Sequence, residues 1–417
     1  MTSRSEGLGR GTPRRALMLL VLGSLLGCAS GGPPSGRPAE PAAPRPLRRI
    51  SVPLVKDRFI QPAGVLSIRW SKPLVTHIPF FSYKPQEFAA AAVSDDGSTV
   101  FIGSSAKTFY ALRARDGEVV WARELGSGIS SEPRYVPAGG AVGSEPLILL
   151  GDDDGRLLAL RARDGEIKWQ SPRSGNRGPI QTAPVVHNGR VYVASISGHV
   201  EAYKIEDGKE VWRYERTIGD GFAIRGNSNV LPVGEKLYVG FPDGYLACLS
   251  SESGEVLWSR SLAGDKSRFT DVDSTPVLVG DTLYVSCFAS GVYALDAKDG
   301  STRWRFELES AGPVSVDPSG ERVYAVSATQ GLFCLDGKGR KVWQQSLAQQ
   351  GELARPVLWN GYLLLSAAVS GLYVVDPKTG ELLQSFDPGQ GATAAPVAIG
   401  TSVYLLSNAG AFFALRH

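Results

Sequence analysis

A short pattern recurs eight times along the chain and constrains its fold more than any other feature. The fullest copy, ALDAKDGSTRW, runs from Ala294 to Trp304 and combines a small residue, a leucine, a glycine turn and a tryptophan. The first positions of successive copies lie 48, 43, 46, 46, 40, 40 and 40 residues apart. Periods of this size indicate one supersecondary unit that is stacked or arranged around an axis. The other copies begin at Ala111, Ala159, Ala202, Cys248, Cys334, Val374 and Ala414.

Each repeat has the pattern of four short antiparallel strands. In the copy at 274–308, three runs rich in Val, Leu, Tyr and Phe are separated by Val-Gly-Asp and Ala-Ser-Gly, and a fourth follows Lys-Asp-Gly. Gly and Asp tolerate the backbone conformations that tight turns require. A lone four-stranded sheet exposes two faces, and packing similar sheets around an axis buries them. The repeats therefore predict a β-propeller.

The final copy stops after three strands, and the start of the chain supplies the missing one. Residues 65–70, VLSIRW, read as a strand whose Trp70 fills the eighth tryptophan position. We therefore predict an all-β, eight-bladed propeller of four-stranded antiparallel blades over residues 51–417, closed by the N-terminal strand 65–70. The repeat tryptophans are expected to be packing residues, each seated against the small residue at the first position of a repeat.

The N-terminus has the features of an export signal. Arginines precede an apolar run at 16–26 that is too short to span a bilayer as a permanent helix. The run ends in Leu-Leu-Gly-Cys28, which resembles the bacterial lipobox and implies that Cys28 is lipidated. The alternative is an ordinary cleaved signal with an incidental cysteine. The sequence predicts a signal peptide at 1–27.

The segment that follows is expected to be a tether. Residues 28–50 are rich in Pro, Gly and small residues and contain too few apolar groups to fold. Ala29, in place of an aspartate, follows the cysteine. By resemblance to sorted lipoproteins, this residue implies an outer-membrane location on the periplasmic face.

Composition and residue spacing give no sign of catalysis or nucleic-acid binding. The 44 basic and 41 acidic residues give a net charge of +3, and the repeats contain no basic run. The four histidines lack metal-ligand spacing, and no paired cysteine motif accompanies them. We therefore expect no catalytic residue, no metal and no cofactor. Cys248, Cys287 and Cys334 are expected to be buried free thiols, although one disulfide among them stays open.

Two long connections are the candidate binding surface. The 46-residue intervals place their extra residues at about 215–227 and 262–273, on one face of adjacent blades. The first connection offers Phe222, Ile224 and Arg225, and the second offers Asp271 and Asp273. Apolar residues beside an arginine and two acids favour protein binding. The alternative is an ion pair between Arg225 and Asp271, with the apolar side chains packed under the loop.

The chain resembles two known groups of proteins, one broad and one narrow. Repeats of the form ALDxxxGxxxW are similar to those of the pyrroloquinoline-quinone-dehydrogenase-like propellers. The lipobox, the N-terminal closing strand and the segment RFTDVDSTPVLVGDTLYV at 268–285 resemble the BamB lipoproteins of the outer-membrane β-barrel assembly machine.

The narrower resemblance implies a function. It implies a non-catalytic scaffold lipoprotein whose two loops dock onto a periplasmic domain of the central barrel-forming subunit and assist the insertion of β-barrel proteins. Unfolded outer-membrane proteins are a further candidate partner. The implied contact residues are Phe222, Ile224, Arg225, Asp271 and Asp273. The chain departs from the family pattern at 227–229, directly after the arginine loop.

Two other functions stay open. One is a periplasmic propeller that binds or senses a small ligand in its central channel. The other, least favoured, is a quinoprotein dehydrogenase. Those enzymes are known for a pair of adjacent cysteines, calcium ligands and a catalytic aspartate in a longer chain, whereas this sequence has no adjacent cysteines. No function is assigned to the connections at 71–88 and 137–146.

Overall fold

The structure, a computed structural model, consists of antiparallel β-sheets in its described part. Thirty-three strands form eight sheets there, which confirms the eight-bladed propeller. The predicted signal peptide, Cys28 and the tether lie outside the described residues. The described residues are 59–60, 64–75, 87–173, 178–218, 228–266, 268–347 and 350–417.

In the first four blades, the strands of each sheet follow one another in chain order. The first blade contains β3 (Ala91–Val93), β4 (Thr99–Ile102), β5 (Thr108–Arg113) and β6 (Val119–Glu124). The second contains β7 (Arg134–Val136), β8 (Leu147–Gly151), β9 (Leu157–Arg161) and β10 (Ile167–Gln170), with a short 3-10 helix (Gly140–Val142) after β7. The third contains β11 (Val185–His187), β12 (Arg190–Ala194), β13 (His199–Lys204) and β14 (Glu210–Glu215). The fourth contains β15 (Leu231–Val233), β16 (Lys236–Gly240), β17 (Tyr245–Ser250) and β18 (Val256–Ser261).

The last four blades repeat this order, and the N-terminal segment adds strands to two of them. The fifth contains β19 (Val277–Val279), β20 (Thr282–Cys287), β21 (Gly291–Asp296) and β22 (Thr302–Phe306). The sixth contains β23 (Ala311–Val316), β24 (Arg322–Ser327), β25 (Gly331–Asp336) and β26 (Lys341–Gln345). The seventh contains β27 (Val357–Trp359), β28 (Tyr362–Ala367), β29 (Gly371–Val375), β30 (Leu382–Phe386) and the added β1 (Phe59–Ile60). The eighth contains β31 (Val397–Ile399), β32 (Ser402–Leu406), β33 (Ala411–Arg416) and the added β2 (Ser67–Pro73).

The N-terminal strand closes the ring, as the sequence predicts, although it runs from Ser67 to Pro73 and not over residues 65–70. Strand β2 pairs antiparallel with β33, and Trp70 lies opposite Ala414. At five junctions, including that of blades eight and one, the first strands of neighbouring blades contact one another. These strands are therefore the innermost ones, and the fourth strand of each blade lies at the rim.

Blade seven has a fifth strand that the sequence analysis did not predict. Strand β1 pairs with the rim strand β30, with Phe59 opposite Phe386. A strand of two residues that has no equivalent in the other repeats leaves no periodic pattern in the sequence. The amide of Gln384, also on β30, accepts a hydrogen bond from the Leu66 N–H at 2.7 Å and donates one to the Leu66 carbonyl at 2.9 Å. Blade seven therefore holds the N-terminal segment at two places.

A recurring contact between a rim tryptophan and a glycine joins neighbouring blades. Trp304 lies opposite Ala294 in its own blade, as expected from the small residue at that position. Its ring covers Gly339 in the next blade, where φ is 78° and an added methyl group would lie 2.7 Å from the indole. The indole N–H donates to the Gly337 carbonyl at 2.9 Å. The glycine is therefore required for its conformation and for the space it leaves.

The same contact occurs at six other blade junctions, and we call these seven pairs the tryptophan belt. The eighth junction differs because the paired strands β33 and β2 of blade eight are not consecutive in the described chain, and Gln384 there binds Leu66 instead. The other pairs are Trp70–Gly117, Trp121–Gly165, Trp169–Gly208, Trp212–Gly254, Trp258–Gly300 and Trp343–Gly380.

The hydrophobic core lies between blades. Eight buried apolar clusters occur among the described residues, and each is formed by neighbouring blades. Middle strands such as β8 are buried along their whole length, which fits their continuous apolar sequences. Cys248, Cys287 and Cys334 are buried free thiols, which confirms that prediction. Burial raises the pKa of Cys248 and of Cys334 to about 11.

Candidate functional site

The propeller has two faces, which carry different connections between strands. Because successive strands run in opposite directions, the connections between blades lie at the same end as the turns between second and third strands. We call this end the loop face. The glycine turns of the tryptophan belt lie at the other end, the turn face. Hydrogen bonds from Leu262 N–H to the Gly244 carbonyl and from Val272 N–H to the Phe241 carbonyl tie one connection to a turn of blade four.

The described residues of the two predicted loops meet at that turn, residues 241–244. At the start of the first loop, Arg216 forms an ion pair with Asp243, and its guanidinium lies 4.0 Å from the ring centroid of Tyr245. In the second loop, residues 262–273, the Thr270 hydroxyl donates to the Pro242 carbonyl at 3.4 Å. The described parts of both loops therefore lie on one face and side by side, as the sequence predicts.

The contact residues of the first loop lie outside the described residues. These are Phe222, Ile224 and Arg225. The alternative ion pair between Arg225 and Asp271 therefore stays a prediction, and so does a role for these three residues in binding. Among the described residues, the ion pair of Arg216 with Asp243 fixes the point at which the chain leaves blade three.

The second loop, which we call the acidic loop, is fixed at both ends. Leu262 and Ala263 are buried, and the Lys266 N–H donates to the Ala263 carbonyl in a tight turn. At the other end, Val272 is fully buried, and the Phe288 N–H donates to the Asp271 carbonyl at 2.9 Å. The end of the loop at 271–272 therefore contacts blades four and five. The residues just before it, Arg268 and Phe269, are exposed to solvent.

The two acids of this loop differ in exposure. Asp271 is fully buried, whereas Asp273 is half-buried and lines a cavity. A buried carboxylate is tolerated only where surrounding polar groups offset its desolvation. We therefore expect Asp271 to fix the loop and Asp273 to be the acid in position for contact, and partner binding by either stays a prediction.

A cavity of about 340 Å³ occupies the centre of the loop face, and the sequence analysis missed it. All eight blades line it with residues at or just before their innermost strand. Its charged side chains are Glu132, Asp273 and Arg355. Within the described part of the chain, Glu132 and Arg355 form no ion pair. Prolines that precede several innermost strands, such as Pro184, Pro276 and Pro396, are the sequence signal that marks these positions.

Phe269 is a second feature that the sequence analysis did not identify. It is exposed, and its backbone has a φ of 54°. No sequence signal predicts this conformation, because positive φ is expected at Gly or Asn and seldom at a bulky residue.

The described residues contain neither a membrane-spanning helix nor a metal-binding cluster. No helix there is long and apolar enough to cross a membrane. In the same ranges, no group of three or more His, Cys, Asp or Glu side chains has an arrangement that could hold a metal ion.

Comparison with known proteins gives a consistent family match. A family profile described as "Outer membrane protein assembly factor BamB" matches residues 67–176 and 136–338. A curated relative of that name from Yersinia pestis is 26% identical over 353 residues, which cover 83% of this chain and 76% of the relative. The Escherichia coli relative of the same name is 26% identical over 349 residues, with the same coverage of 83% and 76%.

Solved structures show the same fold in proteins with different names. The crystal structure of BamB from Moraxella catarrhalis has a TM-score of 0.69 at 19% identity and covers 84% of this chain and 100% of that one. Quinohemoprotein alcohol dehydrogenase from Comamonas testosteroni has a TM-score of 0.62 at 13% identity and covers 84% of this chain and 76% of that one. At these identities the structural similarity establishes the fold alone.

Proposed function

The chain belongs to the BamB family of outer membrane protein assembly factors, and on that basis we propose that it is a non-catalytic scaffold of the assembly complex. In this proposal it binds the central barrel-forming subunit through its adjacent interblade loops and assists the folding and insertion of β-barrel proteins. Unfolded outer-membrane proteins are a further candidate partner. The observation that carries the proposal is the convergence of both loops on the turn at 241–244.

The character of this surface supports binding to a protein. The acidic loop is held by buried residues at both ends, so little conformational entropy is lost when a partner binds. Its exposed residues combine both signs of charge with an aromatic ring: Asp265, Lys266, Arg268 and Phe269. A mixed surface of this kind suits a protein interface better than the uniformly basic surface that a nucleic acid needs.

The attachment to the membrane is part of the proposal. We infer that residues 1–27 are removed, that Cys28 carries the lipid, and that residues 28–50 tether the propeller at the periplasmic face of the outer membrane. A fully extended chain spans up to about 3.6 Å per residue, so this tether reaches at most about 83 Å. Metabolic labelling with a radioactive fatty acid tests the anchor, since Cys28→Ser is expected to abolish the label and release the protein from membranes.

We also infer that the chain is not a quinoprotein dehydrogenase. Its three described cysteines lie in blades four, five and six, and none adjoins another in sequence. Incubation of the purified protein with the quinone and calcium is expected to give no bound chromophore and no dye reduction. Catalytic turnover of an alcohol in that assay would overturn the inference.

A binding measurement tests the proposed function. The mature protein is expected to bind the periplasmic domains of the barrel-forming subunit, and Asp273→Lys is expected to weaken this binding at least about tenfold. Asp299→Lys is the matched control, because it makes the same charge change at an exposed position on the turn face. Arg225→Glu extends the test to the first loop. Equal binding by wild type and both loop variants, with all proteins folded, would place the interface elsewhere.

The central cavity favours a second candidate function, the binding of a small molecule. Its volume of about 340 Å³ suits a small organic ligand, and Glu132 and Arg355 provide opposite charges in its wall. Native mass spectrometry of protein purified from its own membranes is expected to show an added small mass that Arg355→Gln removes. An unmodified mass in both proteins would eliminate this candidate.

A further inference from the structure

Phe269 combines two unfavourable features at one position. Its φ of 54° lies in the left-handed region, where a bulky side chain is a conformational outlier. Its side chain is also 49% exposed. In the described part of the chain, every other non-glycine residue with positive φ is polar: Lys107, Asn188, Ser310, Asn360 and Gln390. Phe269 is therefore the one described apolar residue that is held in this conformation.

The loop maintains the conformation of Phe269 by contacts on both sides. Thr270 and Val272 bind the turn of blade four through the Pro242 and Phe241 carbonyls, and Leu262 binds the same turn through the Gly244 carbonyl. Such strain persists only where the surrounding structure enforces it, and it is concentrated at binding and catalytic sites. The backbone that presents the ring to solvent is consequently held in place.

The position of the ring separates it from the exposed apolar residues of the rim. Val119, Val120, Val256 and Leu257 are also exposed, but they lie on the rim strands β6 and β18. Phe269 lies on the loop face, between the exposed Arg268 and the half-buried Thr270. Phe88 and Val369 are exposed on the loop face as well, but neither has a positive φ. Aromatic residues, phenylalanine among them, and arginine are enriched in the buried cores of protein interfaces.

We propose that Phe269 is the anchor of the loop-face interface and inserts into an apolar recess of a folded protein partner, with Arg268 facing an acidic group at the edge of that recess. This inference rests on the proposed function and extends it, because the partner is the protein that the loop face binds. The mixed charges of Asp265, Lys266 and Arg268 favour a protein surface over an anionic membrane, which attracts predominantly basic segments.

The test separates binding from stability by relieving the strain. Glycine adopts a positive φ without steric strain, so Phe269→Gly is expected to raise the Tm by about 2 °C. Because the variant lacks the ring, it is also expected to weaken binding to the periplasmic domains at least about tenfold. Phe269→Ala is expected to weaken binding equally without this gain in Tm. Ser310→Gly is the matched control, because Ser310 has a φ of 51° and is not part of the acidic loop. It is expected to raise the Tm and leave binding unchanged.

The outcomes distinguish this inference from the proposed function. If wild type binds and Asp273→Lys weakens binding, but both Phe269 variants bind like wild type, the anchor role is refuted and the proposed function stands. If wild type does not bind these domains, the proposed function itself fails. A separate measurement uses vesicles of phosphatidylethanolamine and phosphatidylglycerol. The inference would also be overturned if the unlipidated propeller bound these vesicles and Phe269→Ala abolished that binding while binding to the protein partner stayed intact.

Discussion

The tryptophan belt and the acidic loop are built in opposite ways. In the belt, each residue type suits its local conformation, as where Gly339 takes a positive φ beneath the ring of Trp304. In the acidic loop, Asp271 is a buried carboxylate and Phe269 is a strained, exposed aromatic residue. Natural proteins depart from local preferences mainly at functional sites. From this difference we expect the belt to provide stability, and we propose that the loop provides binding.

Removal of one belt tryptophan is expected to have the largest effect on stability. Trp304→Ala removes a ring that covers Gly339 and lies 6.0 Å from the ring centroid of Tyr284, together with the hydrogen bond to the Gly337 carbonyl. The expected loss is about 3–5 kcal/mol in the free energy of unfolding, measured by urea titration. A loss below about 1 kcal/mol would show that the belt does not stabilise the ring.

The junction where the ring closes is expected to be the next most sensitive. Gln384→Leu removes both hydrogen bonds to Leu66. The buried backbone N–H and carbonyl of Leu66 then lack their partner. The expected cost is about 2–3 kcal/mol. Gln344→Leu is the control, because Gln344 is an exposed rim-strand glutamine of blade six. Equal costs for the two variants would contradict a specific role for Gln384 in closure.

A glycine substitution separates steric from conformational cost. Gly339→Ala is expected to cost about 2–3 kcal/mol, since the new methyl group would lie 2.7 Å from the indole of Trp304. Gly234→Ala is the matched control, because Gly234 has a φ of 58° and no atom within 4 Å of the added methyl group. Its expected cost is only about 1 kcal/mol. Identical Tm values for the two variants would mean that the ring moves aside freely.

The smallest expected effect concerns the thiols of the blades. Burial raises the pKa of Cys248 and of Cys334 to about 11 and also raises that of Cys287. At pH 8 these thiols are therefore protonated, and their burial makes them inaccessible to reagents. A protein with Cys28→Ser is expected to incorporate no maleimide until it is denatured. Rapid labelling of the native protein, detected by mass spectrometry, would show that the blades open readily.

The sequence predicted the parts of the fold that depend on repetition. The blade number, the closing strand around Trp70 and the burial of the cysteines follow from residue types that recur at fixed spacing. Strand β1 and the binding of Leu66 by Gln384 have no equivalent in the other repeats, so no periodic signal announced them.

The candidate site was less predictable because its features depend on tertiary contacts. The intervals between repeats were enough to place the two long loops on one face. They did not indicate that Asp271 is buried or that Phe269 has a positive φ, because contacts with the turn at 241–244 determine both. The cavity forms only when the propeller brings together residues from all eight blades. The prolines before several innermost strands are its one sequence signal.

The division of roles between belt and loop is tested most directly by one pair of affinities. Binding of Phe269→Gly and of Gly339→Ala to the periplasmic domains of the barrel-forming subunit is measured at a temperature where both proteins are folded. The account predicts that Phe269→Gly, the more stable variant, binds at least about tenfold more weakly than wild type, while Gly339→Ala, the less stable one, binds like wild type. Binding that follows stability, strongest in Phe269→Gly and weakest in Gly339→Ala, would contradict it.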